Sequence, residues 1–206
     1  MESRICLIRH GITEGNKQRL YYGHTDIPLA DEGIEELKAL TEVGTYPDSG
    51  SAAFYTTGMI RTEQTLEIIY GKREHEALDQ LREINFGDFE MRSHGKLKEL
   101  EEYQIWIADK RGELAPPNGE SINIFHSRIS SGFEELKNRH LQRVLSLRHR
   151  EENALSVAVC HGGTISAVLQ DVYPDREKNF YAWIPKPGHG YILYMEDGSI
   201  VDTEKF

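Results

Sequence analysis

The chain has 206 residues, with 24 basic and 34 acidic side chains and a net charge of −10 at neutral pH. This length is enough for one domain with a full hydrophobic core. The negative charge repels other anions, so we expect neither nucleic acid nor an anionic lipid surface as a partner. No apolar run approaches the roughly 20 residues that a membrane-spanning helix needs. The sequence therefore predicts no membrane partner.

The two cysteines, Cys6 and Cys160, fall in apolar runs that predict buried strands. Such positions are typical of small core side chains rather than of a disulfide framework, and this usage fits a reducing compartment. The first predicted strand begins by residue 5, without the long apolar segment of a signal peptide. We therefore expect a cytoplasmic protein.

Apolar runs and helical patterns alternate along the chain. Ile5–Ile8 predicts a first strand, followed by a polar loop over 11–29 and a helix over 31–43. Leu97, Leu100, Tyr103 and Ile107 share one face of a predicted helix that ends near residue 112. The other predicted elements are strands at 52–55, 155–160, 181–184, 190–195 and 200–202, a strand and loop at 78–84, and helices at 59–70, from 122 to about 150 and from 164.

Strands separated by helices predict an α/β fold. We expect a three-layer sandwich, in which a mainly parallel central sheet is flanked by helices on both faces. Neither an internal repeat nor a low-complexity linker divides the chain, so residues 1–206 are predicted to form a single domain. Residues 88–120 would form a helical, lid-like excursion over the sheet edge.

Two predicted strands end in the same way. Arg9-His10-Gly11 follows the first strand, and His161-Gly162-Gly163 follows the strand at 155–160. In open α/β sheets, ligands bind beyond the carboxyl ends of the strands. Two buried strands that each deliver a histidine and a glycine to this edge indicate a phosphoryl-transfer site.

The residue types support this interpretation. A neutral imidazole is a competent nucleophile near pH 7, and arginine supplies permanently charged donors to phosphate oxygens. Arg9 stands beside His10, and Arg61 falls in the first turn of the predicted helix 59–70. Glycines before a helix allow an anion to approach its backbone N–H groups. Each residue alone is more typical of an ordinary structural or surface position, but their co-occurrence favours a functional site.

These residues lie in segments that resemble the histidine phosphatase superfamily, which includes the cofactor-dependent phosphoglycerate mutases. The resemblance runs from Arg4 to about Met195 and implies a phosphoglycerate mutase-like fold. It rests on six segments in the family's order: LIRHGITEGN at 7–16, YYGHTDIPLADEG at 21–33, TTGMIRTEQT at 56–65, LREINFGDFE at 81–90, NGES at 118–121 and AVCHGG at 158–163.

The resemblance also implies a role for each candidate residue. His10 would be the nucleophile that becomes phosphohistidine, and Glu83 would protonate the leaving oxygen and then activate water. Arg9, Arg61 and His161 would complete the phosphate pocket, with His161 acting as a cation. No metal and no cofactor is expected, because arginines and imidazolium would replace Mg²⁺. The residues assigned to substrate binding are Asn16, Tyr22, Gly23 and Gly162.

Two positions depart from the family pattern. Ile12 stands where a Glu or Gln usually follows the Arg-His-Gly string, which removes a polar group near the pocket. Ala30 stands where Ser or Thr commonly caps the next helix, a loss of about 1 kcal/mol in local stability. Neither departure removes a catalytic group.

The substrate is less well determined. Mutases of the family carry a longer insert with extra arginines and lysines. Segment 88–120 is compact here, and its basic residues are interspersed with acidic ones. This favours net hydrolysis of a small phosphomonoester to inorganic phosphate over a mutase reaction. This segment is most similar to that of α-ribazole phosphatases. Trp106, Tyr21 and Tyr22 could face an aromatic base, or simply pack together. A cofactor-dependent phosphoglycerate mutase and a non-catalytic phosphate-binding regulatory module stay open as alternatives, as does the oligomeric state.

Overall fold

A six-stranded sheet forms the centre of the protein. The structure is a computed structural model that describes residues 2–148, 152–174 and 179–206. In chain order the strands of the main sheet are β1 (Ser3–Arg9), β3 (Ala53–Thr56), β4 (Glu76–Ala77), β6 (Ala154–Cys160), β7 (Gly190–Glu196) and β8 (Ser199–Lys205). Two short strands, β2 (Leu20–Tyr21) and β5 (Arg92–Ser93), pair antiparallel in a separate ribbon.

Helices connect most of these strands. They are α1 (Glu14–Lys17), α2 (Asp31–Glu42), α3 (Ile60–Tyr70), α4 (His94–Leu97), α5 (Glu101–Ala108), α6 (Ile122–Leu147), α7 (Gly162–Val172) and α8 (Phe180–Trp183). Short 3₁₀ turns lie at Asp79–Leu81 and Gly87–Phe89. Among the residues that the structure describes, no helix is both long and apolar enough to cross a bilayer.

The strand order in the main sheet is β4-β3-β6-β1-β7-β8. The pairs from β4 to β1 are parallel, whereas β7 runs antiparallel to β1 and β8 runs antiparallel to β7. The predicted mainly parallel sheet is therefore confirmed, with an antiparallel hairpin added at one side.

Two hydrophobic clusters cover the opposite faces of the sheet. Side chains alternate along a strand, so Ile5 and Leu7 of β1 enter one cluster while Cys6 and Ile8 enter the other. The first cluster includes apolar residues of α6 and α7, and the second includes apolar residues of α2 and α3. This arrangement confirms the three-layer fold.

The pairing of β1 with β6 brings the two histidines together. The strands are parallel and in register, with Arg9 opposite Cys160. The backbone N–H of His10 continues the ladder by donating to the Cys160 carbonyl, at 3.0 Å. Parallel neighbours end at the same edge, so His10 and His161 leave the sheet side by side.

The tail segment 181–184 does not form the predicted strand, and that prediction is wrong. These residues belong to the one-turn helix α8, whose first turn is capped by the Asn179 side chain accepting from the N–H of Tyr181 at 3.1 Å. The Ser166 hydroxyl also donates to the Phe180 carbonyl at 2.5 Å. A run of apolar and aromatic residues this short fits either a strand or a helical turn, and the contacts of Asn179 and Ser166 favour the helix.

Three other segments differ in detail from the predictions. The predicted loop over 11–29 contains α1 and β2. The strand and loop predicted at 78–84 are a 3₁₀ turn at Asp79–Leu81 and a loop, which follow the short strand β4. The single helix predicted over 97–112 is two helices, α4 and α5. Leu97 and Tyr103 are fully buried in a small third cluster, whereas Ile107 is half-exposed and lines a cavity instead.

Helix α2 begins without a side-chain cap. Its N-cap is Ala30, and no side-chain hydrogen bond satisfies the first N–H groups. At the start of α6, by contrast, the Ser121 hydroxyl accepts from the N–H of Ile124 at 3.2 Å.

We predict that Ala30→Ser raises the free energy of unfolding by about 1 kcal/mol, whereas Ser121→Ala lowers it by a similar amount. Urea titration measures both, and an Ala30→Ser protein no more stable than wild type would contradict the first.

His140 ties α6 to two strands of the sheet. Its Nε2 lies 2.9 Å from the Ser3 hydroxyl of β1, and its Nδ1 lies 2.9 Å from the Ser156 hydroxyl of β6. Burial, with a smaller contribution from Arg143, lowers the pKa of His140 to about 4. The ring is therefore neutral in the folded protein over most of the pH range.

The lowered pKa of His140 predicts acid destabilisation. The unfolded chain protonates this ring near pH 6.5 and the folded protein only near pH 4, so protons favour unfolding in between. The stability present at neutral pH falls by about 3 kcal/mol over this window. Urea titrations from pH 7 to 4 should show a shallower loss for His140→Gln than for wild type. Parallel curves for the two proteins would be inconsistent with this account.

Candidate active site

His10, which directly follows β1, is almost fully buried. Its Nδ1 lies 2.8 Å from the carbonyl oxygen of Gly11. A carbonyl oxygen only accepts, so Nδ1 carries the proton and the lone pair of a neutral ring is on Nε2. Burial lowers the pKa of His10 well below 6.5, and the charges of Arg61 and Arg9 lower it further. The ring is thus neutral at pH 7, with Nε2 available as a nucleophile.

His161 occupies the N-cap position of α7 and is fully buried. Its ring centre is 5.3 Å from that of His10, and the two rings meet edge to face. Its Nε2 lies 2.9 Å from the Thr57 hydroxyl, while its buried Nδ1 has no hydrogen-bond partner among the residues described. Burial and then the charge of Arg61 lower the pKa of His161 well below 6.5. Burial therefore favours the neutral form of His161 in the protein alone, which does not support the cationic role that the resemblance implies.

Arg9 is the last residue of β1. One terminal nitrogen, Nη1, donates to the Pro185 carbonyl at 2.8 Å, and the backbone N–H donates to the His189 carbonyl at 2.9 Å. The Nε–H is buried and unpaired among the described residues. Burial lowers the pKa of Arg9, yet a guanidinium keeps its charge at neutral pH.

Arg61, in the first turn of α3, is fully buried. Its Nη2 donates to the Gly23 carbonyl at 2.7 Å and its Nη1 to the Thr25 carbonyl at 3.1 Å. The guanidinium also lies over the ring of Tyr22, 5.2 Å from its centre. The nearest carboxylate oxygen, on the half-exposed Asp26, is 3.9 Å away. Backbone carbonyls therefore hold this cation in place, with a long ion pair in support.

Glu90 fixes the loop that supplies those carbonyls. Its carboxylate accepts from the N–H groups of Gly23, His24 and Thr25 at 3.0, 2.8 and 2.6 Å, and from the Thr25 hydroxyl. Burial alone would raise the pKa of Glu90, but these hydrogen bonds outweigh it and lower the pKa below its ordinary value. A charged Glu90 thus fixes the loop, and the loop in turn orients Arg61.

Glu83 faces the N-terminus of α7. Its two carboxylate oxygens accept from the N–H groups of Gly163 at 2.8 Å and Ile84 at 3.0 Å. A Cβ on Gly163 would lie 2.3 Å from the Glu83 carboxylate, so only glycine allows this approach. Behind it, Arg128 donates to the Glu83 carbonyl at 3.3 Å and forms an ion pair with Glu120.

The side chains of Asn16 and Tyr22 both form hydrogen bonds with Thr13, the N-cap of α1. The Asn16 side-chain oxygen accepts from the Thr13 N–H at 3.0 Å, which leaves the NH₂ group to donate to an anion. The Tyr22 and Thr13 hydroxyls are 2.6 Å apart. Both Asn16 and Tyr22 line the cavity described below, and their role in substrate binding stays a prediction.

The two predicted glycines have different positions. Gly162 lines the cavity, where a Cβ would lie 3.1 Å from the Nε of Arg9. Gly23 is not among the residues that line the cavity, and its assignment as a substrate-binding residue stays a prediction. Its carbonyl holds Arg61, and a Cβ there would lie 1.7 Å from the Ile84 carbonyl oxygen. Glycine at this position allows close backbone packing.

All five residues predicted to be catalytic line one cavity of about 420 Å³. The floor is charged and the walls are mainly apolar and aromatic. The cavity is lined by Arg9, His10, Asn16, Leu20, Tyr21, Tyr22, Arg61, Glu83, Ile84, Phe86, Trp106, Ile107, Asp109, Leu114, Ile122, Phe125, His161, Gly162, Gly163, Phe180, Tyr181 and Ile184. No group of three or more His, Cys, Asp or Glu side chains suited to a metal ion occurs within the described ranges.

Sequence reasoning missed four residues that shape this site. Thr57, Glu90 and Arg128 act on a catalytic candidate through a hydrogen bond or a loop, and Pro185 acts through its carbonyl. Thr57 and Glu90 lie within the matched segments at 56–65 and 81–90, which is the signal that could have found them. The contact of Pro185 could not have been found in this way, because every residue has a backbone carbonyl and the sequence does not mark which one is used.

Two buried histidines and two guanidinium groups, one fully and one partly buried, lie with a helix N-terminus at the carboxyl edge of parallel strands. This arrangement defines a phosphate-handling α/β protein. The chain belongs to the histidine phosphatase superfamily (branch 1), whose profile matches residues 5–201. Its fold is that of the α-ribazole phosphatase-like histidine phosphatases.

Relatives of two kinds match the chain. The adenosylcobalamin/alpha-ribazole phosphatase of Escherichia coli strain K12 is 31% identical over 162 residues, covering 75% of this chain and 77% of that protein. The 2,3-bisphosphoglycerate-dependent phosphoglycerate mutase of Parvibaculum lavamentivorans is 30% identical over 214 residues, covering 99% and 96%. The alpha-ribazole phosphatase structure from Shigella flexneri aligns with a TM-score of 0.71 at 25% identity, covering 95% of this chain and 92% of that one.

The Glu90 contacts predict that neutralising this carboxylate disturbs Arg61. In Glu90→Gln an amide NH₂ group would face backbone N–H donors, so the loop at 23–25 would lose its fixed position. We expect kcat/KM for a phosphomonoester to fall roughly tenfold to a hundredfold and unfolding free energy to fall by about 1–3 kcal/mol. The exposed Glu99→Gln, in the same segment, serves as the matched control. Unchanged kcat/KM in Glu90→Gln would show that the loop does not depend on this charge.

Proposed function

We propose that this protein is a phosphoric monoester hydrolase of the histidine acid phosphatase type, which acts through a phosphohistidine at His10 without a metal or a cofactor. One observation carries the proposal. The free Nε2 of a neutral His10 lines the same cavity as Arg9 and Arg61, so a phosphate bound by the guanidinium groups meets a nucleophile.

In the first step, Nε2 of His10 attacks phosphorus and the bond from phosphorus to the leaving oxygen breaks. A protonated Glu83 gives its proton to that oxygen, and the leaving group departs as a neutral alcohol. The guanidinium groups neutralise the charge on the equatorial oxygens. The α7 N-terminus favours the same negative charge through its dipole.

In the second step, water attacks the phosphohistidine. The ionised Glu83 accepts a proton from this water, the bond from phosphorus to Nε2 breaks, and inorganic phosphate is released. His10 and Glu83 return to their starting protonation states, so the cycle balances without another reactant.

This mechanism predicts where labelled phosphate is trapped. Brief mixing with a ³²P-labelled phosphomonoester, followed by an alkaline quench, should leave an acid-labile label on His10. His10→Ala should remove the label and lower kcat by at least about a thousandfold, because the nucleophile is lost. His75→Ala, at a surface ion pair, should retain both. Label on another residue, or activity abolished by EDTA, would contradict the proposal.

The walls of the cavity support a substrate with an uncharged, flat leaving group. Among the described residues that line it, Arg9 and Arg61 are the only Lys or Arg side chains, and both lie at the phosphate floor. A phosphoglycerate carboxylate would therefore meet apolar walls. Trp106 and Tyr21 pack edge to face, 5.7 Å between ring centres, and both line the cavity. An α-ribazole phosphate fits this chemistry, with its base against the aromatic walls.

The substrate assignment predicts selective loss in Trp106→Ala. We expect kcat/KM for α-ribazole 5′-phosphate to fall about tenfold or more, and that for the small glycerol phosphate to change less, because only the first contacts the wall. Equal losses for the two substrates would argue against an aromatic subsite.

The same assays separate the alternatives. The similarity to the Parvibaculum enzyme keeps a mutase reaction open. Interconversion of phosphoglycerates, stimulated by a bisphosphorylated primer, would establish that reaction. No turnover of p-nitrophenyl phosphate would favour a phosphate-binding regulatory module. The lid role of residues 88–120, the single domain and the cytoplasmic location stay predictions.

A further inference from the structure

Thr57 contacts Nε2 of His161, the ring nitrogen opposite the unpaired Nδ1. It directly follows β3 and is fully buried, as are its neighbours Thr62 and His161. Its hydroxyl lies 2.9 Å from Nε2 of His161 and 3.3 Å from the Thr62 hydroxyl. The Nε of Arg82 donates to the Thr57 carbonyl at 3.0 Å, which fixes its backbone.

The protons around Thr57 can be counted. The Thr62 hydroxyl donates to the Met59 carbonyl at 2.8 Å, and a hydroxyl has one proton. The proton of Thr57 is therefore free to go to Thr62 or to His161. The contact with His161 is 0.4 Å shorter by the two distances, 3.3 and 2.9 Å. Donation to Nε2 places the single proton of a neutral His161 ring on Nδ1.

We propose that Thr57 is a positioning residue, whose hydroxyl donates to Nε2 of His161 and so holds the neutral ring with an Nδ1–H group that donates to bound phosphate. The proposal deepens the proposed phosphatase function and rests on it. It gives the unpaired, buried Nδ1 of His161 a partner, namely a phosphate oxygen. It also explains how a neutral ring stabilises an anion: the opposite tautomer would aim a lone pair at the phosphate.

The surroundings of His161 favour the neutral ring. Besides burial, Arg61 on α3, Arg9 at the end of β1, His10 directly after β1 and His24 on the loop before α2 all oppose a positive charge there. The Thr57 hydroxyl could accept from an Nε2–H group only by turning its own proton to the Thr62 hydroxyl, at the longer distance of 3.3 Å. The Thr57 hydroxyl thus decides which nitrogen carries the proton.

The first test reads the tautomer directly. Protein labelled with ¹⁵N-histidine is saturated with inorganic phosphate at pH 8, and the His161 signal is assigned by its loss in His161→Gln. We expect a protonated Nδ1 and an unprotonated Nε2. An Nε2–H tautomer, or a doubly protonated ring at this pH, would overturn the proposal. This measurement needs neither turnover nor a Thr57 variant.

The second test compares two substitutions. Thr57→Val keeps the side-chain shape but removes the donor, so Kd for inorganic phosphate at pH 8 should rise about tenfold to a hundredfold. Thr57→Ser keeps the donor and should restore binding to within about threefold of wild type. A Thr57→Val Kd close to the wild-type value, or a Thr57→Ser Kd as high as that of Thr57→Val, would overturn the proposal.

The two proposals fail separately. If phosphate binds with the expected tautomer but no phosphomonoester is hydrolysed, the proposed function is wrong and the role of Thr57 in phosphate binding stands. If hydrolysis and the phosphohistidine are found but the tautomer is reversed, the role of Thr57 is wrong and the phosphatase stands.

Discussion

Two guanidinium groups held by backbone carbonyls, that of Arg61 fully buried and that of Arg9 partly buried, are the constraint on which this site depends. Removing an arginine from water costs several kcal/mol unless its donors and charge are satisfied. The carbonyls of Pro185, Gly23 and Thr25 satisfy donors without cancelling charge, and part of each guanidinium remains unpaired among the described residues. A phosphate dianion supplies the missing negative charge and acceptors. The fold therefore holds positive charge and hydrogen-bond donors in place before the phosphate binds.

Burial, reinforced by the same two cations, lowers the pKa values of both histidines. An imidazole that is buried beside permanent positive charge does not hold a proton at pH 7, so His10 is a nucleophile without needing a base to activate it. His161, equally neutral, can stabilise an anion only by donating through a correctly placed proton. Parallel pairing of β1 and β6 provides the proximity, and the hydroxyl and carbonyl contacts around each ring provide the orientation.

Much of this architecture was predictable from sequence, because strands that end in Arg-His-Gly and His-Gly-Gly place their polar residues at one edge. The layers, the parallel pairing and the convergence of His10 with His161 follow from that pattern. Ring protonation did not follow, because it depends on burial and on neighbours that are distant along the chain. The role of Gly23 could not be determined from the sequence, because close backbone packing and ligand contact both require glycine. Segment 181–184 was misassigned because a four-residue apolar run fits either a strand or a helical turn.

Burial beside fixed cations keeps His10 neutral and ready to attack. Titration of its ring by ¹⁵N NMR in the protein alone, assigned by the signal lost in His10→Asn, tests this most directly. The account predicts a midpoint well below pH 6.5, with the proton on Nδ1 above it. A midpoint at or above pH 6.5, or a neutral ring with its proton on Nε2, would contradict it.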